Sequence, residues 1–125
     1  MVTVRVRSYR DLTVWQRSVE LFIAVTRLVR KLPAADRMVF ETQVRRAARS
    51  VCTNISEGHQ RRHLGDYLRH LSFARGSLGE VETDLALIEQ TTALLPSDIA
   101  PCVGLAAEVG KMLTTLSASL RRRSQ

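Results

Sequence analysis

Lysine, cysteine, histidine and aromatic residues are all scarce in this chain, and each scarcity narrows what it can do. Two cysteines, Cys52 and Cys102, stand far apart with no C-x-x-C pair. That excludes a disulfide scaffold and the usual structural zinc site, and the two are read as reduced, small apolar residues. Three histidines, His59, His63 and His70, offer little for acid–base chemistry or metal binding. His59 and His63 have metal-gripping i,i+4 spacing, but Gly58 is expected to break the helix there and no third ligand is evident. Aromatic residues make up 5% of the chain and most fall on apolar stripes, so a platform for stacking single-stranded bases is poorly supported. No apolar run approaches the ~20 residues of a membrane helix, and the N-terminus lacks the apolar core of a signal peptide. A cytoplasmic protein without a membrane partner is expected.

Lysine is limited to Lys31 and Lys111, so the 19 basic residues are almost all arginine. Against 12 acidic residues they leave a net charge of +7. Guanidinium is planar and forked, which suits phosphate and carboxylate equally. A strongly basic balance favours anionic partners such as nucleic acid or acidic protein surfaces.

With 125 residues the chain holds one domain with a modest core. Residues 1–8, where Val or Thr alternates with Arg, are expected to form a flexible basic arm. Helix one is expected over about 11–31, with Leu12, Trp15, Val19, Phe22, Thr26 and Val29 inward. Helix two is expected over about 35–57, with Phe40, Val44, Ala47, Val51 and Ile55 inward and Gly58 as its stop. Helix three spans about 64–91, with an inward stripe from Leu64 through Tyr67, Leu68, Leu71, Ala74, Leu78, Val81 and Leu85 to Ile88. Helix four spans about 97–121, with Ile99, Val103, Ala106, Val109, Leu113, Leu116 and Leu120 inward. Residues 122–125 form a basic tail. Short connections force antiparallel neighbours, so the expected fold is an all-α, up-down-up-down four-helix bundle.

Nothing resembles an active site. Ser50, Ser56 and Ser77 lack a nucleophile elbow. There is no Gly-rich phosphate loop. Glu80, Glu82 and Asp84 share one helix, with no second acidic helix to complete a di-metal centre. The helical-ribonuclease pattern, an Arg four to six residues before a His, matches none of the three histidines. A non-enzyme with no cofactor and no metal site is expected.

The arginines are the remaining chemistry. Arg45 and Arg49 share one face of helix two, and Arg46 lies about 100° away. Arg46 is placed to pair with Glu80 or Glu82 at the bundle or subunit boundary. Arg45 and Arg49, with Arg61 and Arg62, are candidates for a phosphate-facing patch. Arg121, Arg122 and Arg123 suit the negative end of a helix dipole and also serve as a nucleic-acid tail. Gly76 and Gly79 sit inside helix three at about 1 kcal/mol each relative to alanine, which implies close approach of another helix or chain. Asn54 and Ser56 are expected to bond to backbone or to a neighbouring helix.

The segments Tyr9–Gln16, Leu32-Pro33, Gln43–Val51 with Asn54–Gly58, and Tyr67-Leu68 with Ala74–Ser77 and Glu80 together resemble one family. It is the four-helix-bundle family named for open reading frames in 23S ribosomal RNA intervening sequences. It includes the accessory variability (Avd-like) proteins of diversity-generating retroelements. The resemblance covers about residues 9–120. It implies a homopentameric ring with a basic surface, nucleic-acid binding (RNA or DNA) and no enzymatic activity. For Avd-like members it also implies a reverse-transcriptase partner. It carries over Arg45, Arg46 and Glu80, with Trp15 inside the opening signature. The alternative is a protein-interaction adaptor or oligomeric scaffold whose arginines hold its own subunits together. A weaker one is a helical ribonuclease or toxin.

Overall fold

The computed structural model describes residues 6–123. A single 3₁₀ turn, Tyr9–Asp11, precedes four helices: α1 (Thr13–Val29), α2 (Ala34–His59), α3 (Leu64–Thr91) and α4 (Pro96–Arg123). Each helix packs against its neighbours in the chain, and α4 closes the square against α1, while the backbones of the diagonal pairs stay apart. The chain therefore runs up, down, up and down. The apical end carries the α1–α2 and α3–α4 turns. The basal end carries the 3₁₀ turn, the α2–α3 turn and the C-terminus of α4.

The starts and stops follow local chemistry. Pro33 precedes α2 and Pro96 opens α4, positions where a missing N–H costs nothing. Asp36 and Asp98 occupy first turns, where the helix dipole favours a negative charge. At the chain start, Ser8 rather than Asp11 is the cap. Its hydroxyl accepts from the Arg10 N–H, and the Asp11 carboxylate accepts from the Arg7 and Ser8 N–H groups at 2.8 and 3.2 Å. Asp11 thus closes a capping box and does not begin the long helix. Residues 1–5 of the expected arm and 124–125 of the expected tail lie outside the described residues.

Leu21, Val25, Val44, Val51, Ile55, Leu71, Leu85, Ile88 and Leu113 fill the core, each at most 1% exposed. Burying such a side chain stabilises the fold by about 1.5–3 kcal/mol relative to leaving it in water. The expected stripes of α2 and α3 face this core, with Leu64, Tyr67 and Leu68 at its edge. Two expectations are corrected. In α1 the buried line is Val14, Ser18, Leu21, Val25 and Leu28 with Val29, while Trp15, Val19, Phe22 and Thr26 are only half-buried. Ser18 tolerates full burial because its hydroxyl donates to the Trp15 carbonyl at 2.6 Å. In α4, Cys102 is the buried residue, and Val103 is 48% exposed.

Gly58 does not stop α2. The helix continues to His59, and no glycine has a positive φ. A Cβ at Gly58 would lie 2.9 Å from the His70 Cβ and 3.0 Å from the Tyr67 Cδ1. Its lack of a side chain is what lets α2 and α3 meet closely. α4 contains an 18-residue window of mean hydropathy 1.3, long and apolar enough by composition to cross a membrane. Here its residues Ile99, Cys102, Ala106, Val109, Leu113, Ser117 and Leu120 recur at three- and four-residue steps as the fourth wall of the core.

Candidate nucleic-acid interface

Charge is divided along the bundle axis. If each helix is cut at its midpoint, the basal half comprises residues 6–21, 47–77 and 110–123. It holds twelve basic and four acidic side chains, a net of +8. The apical half, residues 22–46 and 78–109, holds six basic and eight acidic ones, a net of −2. Almost every cation in excess therefore belongs to one end.

Three of the six apical cations, Lys31, Arg37 and Arg45, are matched by a carboxylate. Lys31 Nζ meets Asp98 Oδ1 at 3.2 Å across the two turns. Arg37 lies 3.1 Å from the Glu41 carboxylate, which also faces Arg45 at 3.9 Å. At the basal end, Arg61 and Arg62 are exposed in the α2–α3 turn, and Arg121, Arg122 and Arg123 are exposed on the last turn of α4. The two groups converge because α4 ends beside the start of α3. The charge of Arg123 is felt at Tyr67, whose phenol pKa is pushed up mainly by burial and pulled back by that arginine.

Five of the seven arginines assigned to a polyanion surface thus share one end. Arg45 is not among them. Its Nε donates to Thr26 Oγ1 at 3.3 Å, and its guanidinium lies 5.8 Å from the Phe22 ring centre, so it staples α2 to α1. Arg49 is exposed, ten residues before the end of α2, or about 15 Å along the axis. It contributes to the field, opposing slightly the burial that pushes the Cys52 thiol up.

The residues assigned to structure also separate. Trp15 stacks edge-on against Tyr9 at 5.1 Å and pins the 3₁₀ turn to α1. Among the described residues Arg46 makes no ion pair with Glu80 or Glu82, and all three are exposed. Gly76 and Gly79 approach nothing within 4 Å, so no helix of the same chain explains them. They line a shallow recess with Gln43, Glu80, Thr83 and Asp84 on the outer α2–α3 face. Burial and the neighbouring Glu80 raise the Asp84 carboxyl above its ordinary value.

Polar residues at the α2–α3 contact form one chain. Ser77 Oγ donates to Ser50 Oγ at 2.8 Å, and the Asn54 amide donates to the Ser50 carbonyl at 2.9 Å. The Asn54 Oδ1 then faces His70 Nδ1 at 3.1 Å. Glu57 lies 3.6 Å beyond. Ser56 Oγ donates to the Thr53 carbonyl at 3.0 Å. Asn54 therefore bonds both to backbone and to the neighbouring helix, and Ser56 to backbone, while Ser50, Ser77 and His70 join the same interhelical contact. No group of three His, Cys, Asp or Glu side chains gathers as a metal site among the described residues.

Sequence reading passed over Arg69, Arg75 and Lys111. The signal that finds them is a missing sign of charge: residues 67–79 and 109–123 carry six basic residues and no acidic one. These segments face each other on α3 and α4, so the basal charge extends upward along that face.

Four antiparallel helices with one basic end define an all-α bundle with a surface suited to polyanions. The model of the 23S rRNA-intervening sequence protein family matches residues 10–115, and the chain belongs to that family. A solved structure with the same fold is a protein of unknown function from the S23 ribosomal protein family of Bacteroides thetaiotaomicron. It is 22% identical and superposes with a TM-score of 0.77, over 84% of this chain and 98% of that one. No curated protein matches the chain.

Proposed function

We propose that this chain is a non-enzymatic, oligomeric nucleic-acid-binding protein that engages the backbone of RNA or DNA with its basal end. The observation that carries the reading is the charge division, +8 against −2, with the excess arginines exposed at that end. Phosphate contacts by guanidinium are insensitive to base identity, so binding is governed by shape and salt. The test is fluorescence anisotropy of a labelled RNA hairpin and a DNA duplex from about 50 to 200 mM salt. Wild type is expected to bind with a steep salt dependence. The variant Arg61→Glu/Arg62→Glu/Arg122→Glu/Arg123→Glu is expected to lose binding at unchanged helix content. Wild-type binding at no salt concentration would end the proposal.

A second reading concerns assembly, and the two coexist. Among the described residues Arg46, Glu80 and Glu82 make no ion pair, and a Cβ at Gly76 or Gly79 would meet nothing within 4 Å. This outer α2–α3 face is proposed as the subunit contact of a ring, a pentamer by family resemblance, with Arg46 of one copy meeting Glu80 or Glu82 of another. Arg46→Glu should then lower the particle mass in light scattering, and Glu80→Arg with Arg46→Glu should restore it. The same surface serves an adaptor role toward a protein partner such as a reverse transcriptase.

A further inference from the structure

Arg75 is fixed in place without being neutralised. Its Nη1 donates to the Gly110 carbonyl at 2.9 Å and to Thr114 Oγ1 at 2.6 Å, so the side chain crosses from α3 and lies over α4. Thr114 Oγ1 donates in turn to the same carbonyl at 3.1 Å, which aims its lone pairs at the arginine. Both acceptors are neutral, and Arg75 makes no ion pair among the described residues. Arg17, Arg37 and Arg45 are hydrogen-bonded too, but each faces a carboxylate: Glu20 and Glu108 for the first, Glu41 for the other two.

A guanidinium carries five N–H donors. The two acceptors on α4 occupy Nη1 only, and Nε and Nη2 have no acceptor among the described residues. These two nitrogens form one edge of the fork, the kind of edge that meets two oxygens of a phosphate with parallel bonds. The bonds to α4 hold that edge still, so little freedom is lost when an anion arrives.

A second cation shares the place. Arg75, Gly110, Lys111, Thr114 and Thr115 line one recess of about 510 Å³ on the outer α3–α4 face. The four α4 residues fall at steps of one, three and one, so they occupy one face of adjacent turns. Lys111 makes no ion pair among the described residues, and the Thr115 hydroxyl makes no hydrogen bond there. The preceding acid on α4, Glu108, is held by Arg17 at 3.0 Å, and no acid follows it up to residue 123. Two positive groups lining one recess without a carboxylate repel, and an anion between them turns that repulsion into attraction. A planar fork beside a compact ammonium suits a tetrahedral oxyanion.

We infer that this recess is a seat for one backbone phosphodiester, read by the open edge of Arg75, by Lys111 and by the Thr115 hydroxyl. This rests on the nucleic-acid reading and adds a fixed point to it. Arg69, Arg122 and Arg123 lie nearer the basal end than the seat, so a strand held there continues onto that end.

The test measures anisotropy of the labelled hairpin against the full-length protein. It compares wild type, Lys111→Gln, Arg75→Gln, their double variant, Thr115→Asp, the apical control Arg30→Gln and the basal quadruple variant. Each single charge removal at the seat should weaken binding uniformly across sequences, and the double variant should lower the slope of log K against log salt by about 1, the share of a single phosphate. A fall of about 2 would mean two separate phosphate contacts and would overturn the shared seat. So would an Arg30→Gln effect equal to that of Lys111→Gln, since net charge alone would then act. Thr115→Asp, at an exposed position with no hydrogen bond to lose, should weaken binding by about tenfold or more because it sets a carboxylate against the phosphate. It and Lys111→Gln cover the case in which Arg75→Gln fails to fold. A merely structural Arg75 would lower the melting temperature and leave the salt slope unchanged. Unchanged binding in all seat variants, with loss in the quadruple variant, would overturn the seat and leave the proposed function standing. The converse is separable by titrating inorganic phosphate while following the Arg75 Nε–H resonance. A shift that Lys111→Gln abolishes, in a protein that binds no nucleic acid, would keep the seat as a free-phosphate site and sink the function. No shift and no binding would remove both.

Discussion

The two ends of the bundle are built alike and charged differently. Both are short turns between long antiparallel helices, and both are rich in arginine or lysine. At the apical end Lys31 meets Asp98, and Arg37 and Arg45 share Glu41. At the basal end Arg61, Arg62, Arg122 and Arg123 carry no such carboxylate among the described residues. The lesson is that a basic composition says little until the acids are located. Matched guanidinium groups belong to the fold, and the unmatched surplus marks where an anion would reside.

The largest expected effect breaks this contrast. Reversing the four basal arginines should weaken nucleic-acid binding by two orders of magnitude or more at 50 mM salt, because the lost phosphate contacts each released counterions. Reversing Arg27 and Arg30 at the apical end should change it less than about threefold, and Arg45→Glu with Arg49→Glu should fall between, by anisotropy on the same hairpin. Equal losses from both ends would mean that only net charge matters.

A second comparison separates the glycines. Gly58→Ala forces a Cβ into His70 and Tyr67 and should destabilise the fold by about 1–3 kcal/mol in urea unfolding. Gly76→Ala and Gly79→Ala meet open space and should stabilise an isolated subunit by about 0.5–1 kcal/mol each. If they lie in a subunit contact, the same substitutions should lower particle mass.

The phase of α1 gives a third. Leu21→Ala should cost about 2–5 kcal/mol, and Val19→Ala far less, by the same unfolding measurement.

The smallest effect concerns the chain start. Backbone donors from Arg7 and Ser8 hold the Asp11 carboxyl below its ordinary value. A depressed folded-state value means that its contribution is present above the unfolded value near pH 4 and fades as pH falls through the folded one. The Arg7 and Ser8 amide resonances should therefore shift only below about pH 4, with no change between pH 5 and 8.

These cases also mark how far the sequence could be read. The four helices were legible because Phe40, Val44, Ala47, Val51 and Ile55, and likewise Leu71 to Ile88, repeat at one helical period with polar gaps. In α1 apolar residues nearly encircle the helix, and two stripes of equal period compete. The correct one contains Ser18, which looks polar until its bond to the Trp15 carbonyl is seen. Val103 against Cys102 is the same ambiguity on one turn. Gly58 reads as a stop because glycine commonly ends helices, whereas its use here depends on how closely α3 approaches. The arginine surface was legible as composition. Which arginines share an end was not, since Arg61 and Arg62 are set beside the Arg121–Arg123 turn only by the antiparallel closure of α4 on α3.

The division of charge gives the bundle a permanent electric dipole along its long axis. A polyanion therefore exerts a torque before any contact forms, and the bundle arrives already turned with its basic end forward. Assembly symmetry then decides whether that orientation is kept. In a cyclic ring whose axis follows the bundles, every dipole points the same way and one face collects all the positive ends. A head-to-head two-fold pairing would cancel the dipoles and bring the positive ends against one another. A particle of the first kind has two unlike faces, and only one of them would sit on a charged strand.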